Sequence, residues 1–190
     1  TLRLSTTIGT NALIQSSGPK LGLLVTRVPG ENAYAKAGTH NPAIDFIIPA
    51  DMIIGIDEEV SEDGISVSAP LPAQVLAGVK TLLEKGARRI VVSLARSPLN
   101  PANEKRCREI VLADYPAHFL GTVPLLISTE ISSELDDQYR TNAALIDAYM
   151  HQEMAHYLYK ADEDARNGRY KYPLLIVHAT GGVARVAKTK

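Results

Sequence analysis

Four short apolar runs constrain this chain most: LGLLVT at 21–26, IVVSLA at 90–95, VPLLIS at 123–128 and PLLIVH at 173–178. Each is unbroken rather than alternating, which marks a strand covered on both faces. Between them lie stretches with helical spacing. Val75, Leu76, Val79, Leu82 and Leu83 draw one face of a helix over 72–85, and Gly86 stands where a C-terminal cap belongs. Asn100-Pro101 is a helix start, an asparagine cap followed by a proline that needs no amide donor. That helix runs to about Asp114, with Cys107, Ile110 and Val111 inward. The longest helix spans roughly 134–166, capped by Ser133, with Tyr139, Ala143, Ile146, Met150, Met154, Tyr157 and Ala161 as its apolar stripe. A strand over 2–8, a short helix over 10–16, short strands at 52–56 and 65–69, and an irregular segment over 28–51 complete the reading. Strands alternating with helices predict an α/β fold with a mainly parallel sheet and flanking helices.

The bulk properties narrow the function. With 20 Lys and Arg against 21 Asp and Glu, the net charge is −1, which argues against a general nucleic-acid or membrane-surface partner. The single cysteine excludes an internal disulfide and fits a reducing, cytoplasmic compartment. No apolar stretch reaches the length of a membrane span. The chain opens at Thr1 directly into a strand and stops at Lys190 just past a Gly-Gly turn, which reads as a central fragment of a larger chain. Within it, residues 1–64 form a strand-helix-strand region with an irregular loop, and 65–190 the alternating region.

Ligands of parallel sheets collect at the carboxyl ends of the strands. Three segments leave such ends with polar residues: Thr6–Asn11, Arg96-Ser97 and Thr180–Gly182. Thr7, Gly9, Thr10 and Asn11 suit a phosphate or a polarised carbonyl oxygen. They equally suit plain capping, with Thr10 as the cap and Gly9 easing the turn. Thr180, Gly181 and Gly182 let backbone approach a ligand, or simply make a strand-to-helix turn. Arg140 pairs with Asp136 at i, i+4 as a solvated ion pair, or aims a bidentate guanidinium at a cleft. His151 and His156 are five apart, about 140° around a helix, so they do not form a metal site. Cys107 reads as core.

The segments TTIGTNALIQSSGPKLGLLVT, ARRIVVSLARSPLNPANEKRCREIV, ISTEISSELDDQYRTNAALIDAYM and LLIVHATGGVA, in this order, resemble the hydantoinase/oxoprolinase family. That family includes the ATP-dependent acetone and acetophenone carboxylases. In the family's serine-leucine-leucine-histidine-serine segment, this chain has Arg96 for the histidine, and Arg140-Thr141-Asn142 matches the family's Arg-Thr-Asn. The resemblance implies part of an actin/hexokinase-like (ribonuclease H-like) ATPase fold whose glycine-rich phosphate loops lie outside these residues. It implies ATP with Mg²⁺, and phosphorylation of a lactam, imide or enolised ketone oxygen followed by ring hydrolysis or carboxylation. It also implies a homo- or hetero-oligomer with a partner carboxylase or hydantoinase subunit. Thr7, Gly9, Thr10, Asn11, Arg140, Asn142, Thr180, Gly181 and Gly182 become the substrate- or nucleotide-facing residues. A scaffold subunit that kept the fold without the ATP site is the alternative, and a small independent nucleotide-binding module a third.

Overall fold

The computed structural model describes residues 2–27, 46–115, 124–177 and 182–186. They form two units: Pro19–Tyr149, and a second built from Thr1–Gly18 with Met150–Lys190. The larger unit is continuous in sequence and the other is assembled from both ends of the chain, whereas the sequence pattern divides the chain once, after residue 64.

The larger unit is organised by a parallel sheet in the order β3-β2-β6-β7. Its strands are β2 (Leu21–Thr26), β3 (Ile53–Ile56), β6 (Arg89–Ser93) and β7 (Leu125–Ile127). β2 pairs with β3 and β6 in parallel, Leu24 opposite Ile54 and Val92, and β6 pairs with β7. Leu21, Leu23, Leu24, Ile90, Val91 and Val92 are fully buried, as unbroken apolar runs require. Helix α2 (Pro72–Glu84) packs Leu82 over Gly22, where a Cβ would stand 2.9 Å from the leucine side chain. It ends at Gly86, whose φ of +90° is the left-handed turn a glycine cap supplies. Helix α3 (Ala102–Asp114) begins where Asn100 Oδ1 accepts the Ala102 N–H at 3.0 Å, and Cys107 is buried, both as expected. The acidic turn at 57–63 opens a two-stranded antiparallel hairpin, β4 (Glu59–Val60) and β5 (Ser66–Ser68).

In the second unit β1 (Arg3–Leu4) pairs in parallel with β8 (Leu175–Val177), and β8 pairs antiparallel with β9 (Val183–Arg185). The core there is Leu158, Leu174, Ile176 and Val186, with Leu4, Met154, Tyr157 and Ala161 against it.

Several expectations need correction. The strand expected over 2–8 is only Arg3–Leu4, because helix α1 (Ile8–Ile14) starts two residues earlier than the pattern suggests. Among the described residues the single sheet is three, since β8 pairs with β1 and β9 and not with the central strands. The Gly-Gly segment therefore connects two antiparallel strands and not a strand to a helix. After α4 (Ser128–Ile131), the long helix α5 (Asp137–Asn167) is capped by Asp136 and not Ser133: Asp136 Oδ1 accepts the N–H groups of Gln138 and Tyr139, each at 2.9 Å. Spent on that cap, Asp136 is not the partner of Arg140, which pairs with Asp137 at 2.7 Å. The first half of the stripe is displaced too. Tyr139 is exposed, while Arg140, Thr141, Ala144, Leu145, Ala148 and Tyr149 are buried.

Candidate functional site

The carboxyl ends of β2, β6 and β7 carry a concentration of buried polar side chains: Glu58, Ser93, Ser97, Asn103, Glu104, Ser128, Arg140 and Thr141. Burying such groups is costly unless every donor and acceptor is met, and here the partners can be named. Glu104, in the first turn of α3, accepts the Leu94 N–H at 2.9 Å and the Ser128 hydroxyl at 2.6 Å on one oxygen. Its other oxygen takes the Thr129 N–H at 3.2 Å and the Thr129 hydroxyl at 2.8 Å. Arg140, from α5, donates to Ser128 Oγ at 2.9 Å, the Leu94 carbonyl at 2.6 Å and the Glu134 carbonyl at 3.3 Å, besides its pair with Asp137. Ser128 thus links a buried carboxylate to a buried guanidinium. Thr141 meets the Ser93 hydroxyl at 2.7 Å and donates to the Asp137 carbonyl at 2.6 Å.

A second chain of bonds runs from β2 to the hairpin. Thr26 donates to Glu58, and its hydroxyl accepts the Ala95 N–H at 2.7 Å. Asn103 donates to Glu58 at 2.6 Å and to the Ser68 carbonyl at 3.0 Å, and accepts from the Ser66 hydroxyl at 2.9 Å. Burial pushes the Glu58 carboxyl above the ordinary glutamate range. The Thr26 and Asn103 hydrogen bonds oppose that shift, and the charges of Glu104 and Asp137 add to it. Burial likewise pushes the Cys107 thiol up to about 12, with Glu58 and Glu104 reinforcing it, so the arginines beside it in sequence do not activate it.

Between the two networks the chain turns through Arg96, whose φ is +55°. The Arg96 N–H donates to both Asp137 carboxylate oxygens, at 3.0 and 3.2 Å. Its guanidinium reaches the Val60 carbonyl at 3.1 Å and Glu62 at 3.5 Å.

The residues expected to face a ligand fall as follows. Arg140 is wholly buried and engaged with the protein's own carbonyls, serine and carboxylate; Asn142, two residues further on, is partly buried. In the second unit Thr7, Thr10 and Asn11 are exposed, with no side-chain cap on α1 from Thr7. Gly9 is a packing glycine: a Cβ there would meet Met150 Sδ at 3.0 Å. Because β1 and β8 are parallel, the carboxyl ends of both strands lie at one end of that sheet. Gly182 is exposed, and Thr180, Gly181, His178 and His40 lie outside the described residues. His156 is exposed, and among the described residues no group of three His, Cys, Asp or Glu side chains converges as a metal site. No described helix is long and apolar enough to cross a membrane.

Residues 1–114 match the hydantoinase/oxoprolinase N-terminal region, and the chain belongs to the hydantoinase/oxoprolinase family. Within it, the chain is 34% identical to the acetophenone carboxylase gamma subunit of Aromatoleum aromaticum, over 99% of this chain and 28% of that one. It is 24% identical to the caprolactamase subunit alpha of Pseudomonas jessenii, over 94% of this chain and 26% of the relative. Among solved structures it resembles nucleotide-free acetone carboxylase, with a TM-score of 0.81 and 23% identity over 98% of this chain and 28% of that one. It also resembles the ATP-dependent caprolactamase of Pseudomonas jessenii, with a TM-score of 0.78 and 24% identity over the same shares. These two likenesses establish the shared α/β fold. The chain thus spans little more than a quarter of the length of these relatives.

Proposed function

We propose that this chain is part of an ATP-dependent enzyme that phosphorylates the oxygen of a lactam or imide carbonyl, or of an enolised ketone. Ring hydrolysis or carboxylation would follow. The observation that carries this reading is alignment over nearly the whole chain with subunits of a carboxylase and of a caprolactamase. Of the solved relatives, one carries out ATP-dependent acetone carboxylation and the other is an ATP-dependent caprolactamase. Relatives named as gamma, alpha and beta subunits support a hetero-oligomer with a partner subunit. The scaffold alternative is the less favoured, because these relatives carry the names of enzyme subunits. We extend the reading to a two-lobed, actin/hexokinase-like arrangement, completed by residues outside this segment, and to a cytoplasmic setting.

Thr7, Thr10 and Asn11 supply exposed hydroxyls and an amide beside the end of β1, groups suited to a phosphate or a carbonyl oxygen becoming negative. Thr180 and the Gly181-Gly182 backbone join them in the proposal as the segment leaving the same sheet end. Gly9 serves by letting α1 lie close to Met150. Arg140 belongs to the proposal as a residue that holds structure at the other sheet's ends, and Asn142 as a substrate- or nucleotide-facing residue. ATP would bring the transferable phosphoryl group, and Mg²⁺ would screen its charge. No residue described here is assigned to the metal.

The test is ADP release by the intact protein with its partner subunits, across lactams, hydantoins, and ketones with bicarbonate. One class should stimulate ATP cleavage, and Asn11→Ala should lower kcat/KM by tenfold or more with the melting temperature unchanged. ATP cleavage indifferent to every class would refute the proposal.

A further inference from the structure

The turn following β6 is held in an unusual way. Leu94 is 1% exposed, yet neither of its peptide groups is satisfied by a neighbouring strand. Its N–H goes to Glu104 of α3, and its carbonyl accepts from Arg140 of α5 and, within the turn, from the Ser97 hydroxyl at 2.5 Å. Two residues on, Arg96 stands in the left-handed region, which disfavours a residue bearing a Cβ. Its N–H is fixed by Asp137, the same carboxylate that pairs with Arg140. Three charged side chains from two helices therefore hold three backbone groups of one turn. That turn leaves the carboxyl end of an interior parallel strand, where ligands of such sheets gather. Strained backbone persists only where its surroundings over-determine it.

We propose that Arg140 and Asp137 are positioning residues: together they preset residues 94–97, and so the placement of Arg96, for the chemistry proposed above. Neither touches the substrate. Arg140 has its donors on Leu94, Ser128, Glu134 and Asp137, and Asp137 is engaged by the Arg96 N–H and by Arg140. The Arg96 guanidinium in turn bridges to the hairpin through the Val60 carbonyl and Glu62. Fixing the turn thereby fixes β4 against the end of β6. This inference rests on the proposed phosphoryl transfer.

The experiment compares Asp137→Asn, Arg140→Lys and the double variant in the intact enzyme with its partner subunits. The readouts are kcat and KM for substrate-dependent ADP release, and the melting temperature. Asn keeps an acceptor for the Arg96 N–H but not the charge that holds Arg140. Asp137→Asn should lower kcat about tenfold, a modest share of what a misplaced group costs, with KM for ATP within about twofold. The melting temperature should fall, since the wholly buried Arg140 loses its paired charge, so kcat and KM are compared well below the unfolding transition. The double variant should lose no more kcat than Arg140→Lys alone, as expected of residues acting as one unit. Wild-type turnover with Asp137→Asn unchanged, or kcat losses that simply multiply, would overturn the positioning role and leave the proposed function standing. A wild-type enzyme with no substrate-dependent ADP release would overturn both.

Discussion

Glu104→Gln is the most informative single substitution for the architecture at the strand ends. Glu104 is 0% exposed and accepts four hydrogen bonds, two on each carboxylate oxygen. A glutamine has nearly the same shape but only one accepting oxygen. If that oxygen serves Leu94 and Ser128, the new amide faces the Thr129 hydroxyl, which can rotate to accept, and the Thr129 N–H, which cannot turn away. If the amide is flipped, the Leu94 N–H is the group left facing it. Either way one buried backbone donor loses its acceptor, at about 1–3 kcal/mol. Arg140, reached through Ser128, also loses part of its charge compensation. The expected loss is about 2–3 kcal/mol. Glu104→Ala, which abandons all four donors and leaves a void, should cost about 4–5 kcal/mol, the upper end for one substitution. Urea unfolding followed by circular dichroism measures both, with an unchanged m-value showing that the loss lies in stability. A cycle with Ser128→Ala isolates the bond between the two residues, and coupling of about 1–2 kcal/mol is expected. A loss below about 0.5 kcal/mol for Glu104→Gln, or strict additivity with Ser128→Ala, would show that these bonds do not hold the strand ends together.

Two further outcomes follow from the buried titratable groups. Glu58 has a folded-state pKa above the ordinary glutamate value, so the folded protein holds that proton more tightly than the unfolded chain does. Its contribution to stability is present at low pH and is lost as pH rises from the ordinary glutamate range through the raised value. The stability of Glu58→Gln relative to wild type should therefore climb over that interval and level off above it. A difference that is flat or falls with pH would contradict the environment described for Glu58. Cys107 is 0% exposed, with a thiol pushed up to about 12. Its alkylation by a maleimide at neutral pH should track unfolding as denaturant is added, and rapid labelling of the folded protein would place the thiol elsewhere.

The central strands, Gly86 and the Asn100 start were legible because each rests on a local rule: apolar runs covered on both faces, a left-handed cap, an asparagine before proline. What sequence reasoning missed is the polar core. A signal for it exists in α3. Asn103, Glu104, Cys107, Ile110 and Val111 fall at i, i+1, i+4, i+7 and i+8, the spacing of one buried face. The reading took Cys107, Ile110 and Val111 as the inner side and left the two polar members out, because polar residues in a first turn ordinarily read as solvated caps. Only the ends of β6 and β7, brought beside α3 by the parallel sheet, reveal what Asn103 and Glu104 satisfy. The displaced stripe of α5 has the same origin. An arginine looks like surface, so the reading took Tyr139 for the inner position. Arg140 takes the buried place because the carbonyls and the carboxylate it needs lie inside. The pairing of β8 with β1 was invisible for another reason: partners 172 residues apart in the chain, Arg3 and Leu175, carry no local mark.

Why a chain should bury Glu104 and Arg140 at all follows from where β6 stops. A central strand flanked on both sides exhausts its ladder at Ser93, opposite Val25. Leu94 comes next, still covered, with an N–H and a carbonyl that no neighbouring strand meets; the Ser97 hydroxyl gives the carbonyl one donor from within the turn. The N–H has no such local partner, and leaving it unpaired would cost about 1–3 kcal/mol, so the fold needs an acceptor delivered from outside the sheet, and the carbonyl takes a second donor from there. A long arginine from α5 and a glutamate from the first turn of α3 have the reach, and Ser128 at the end of β7 joins them so that neither charge is isolated. An apolar replacement for the ion network, often tolerable elsewhere, fails here because the Leu94 N–H would remain without an acceptor. The same geometry leaves the turn with little freedom. With Leu94 held at both peptide groups and Arg96 held by Asp137, the strand end is a fixed platform, and any chemistry borne by that turn begins from a preset position.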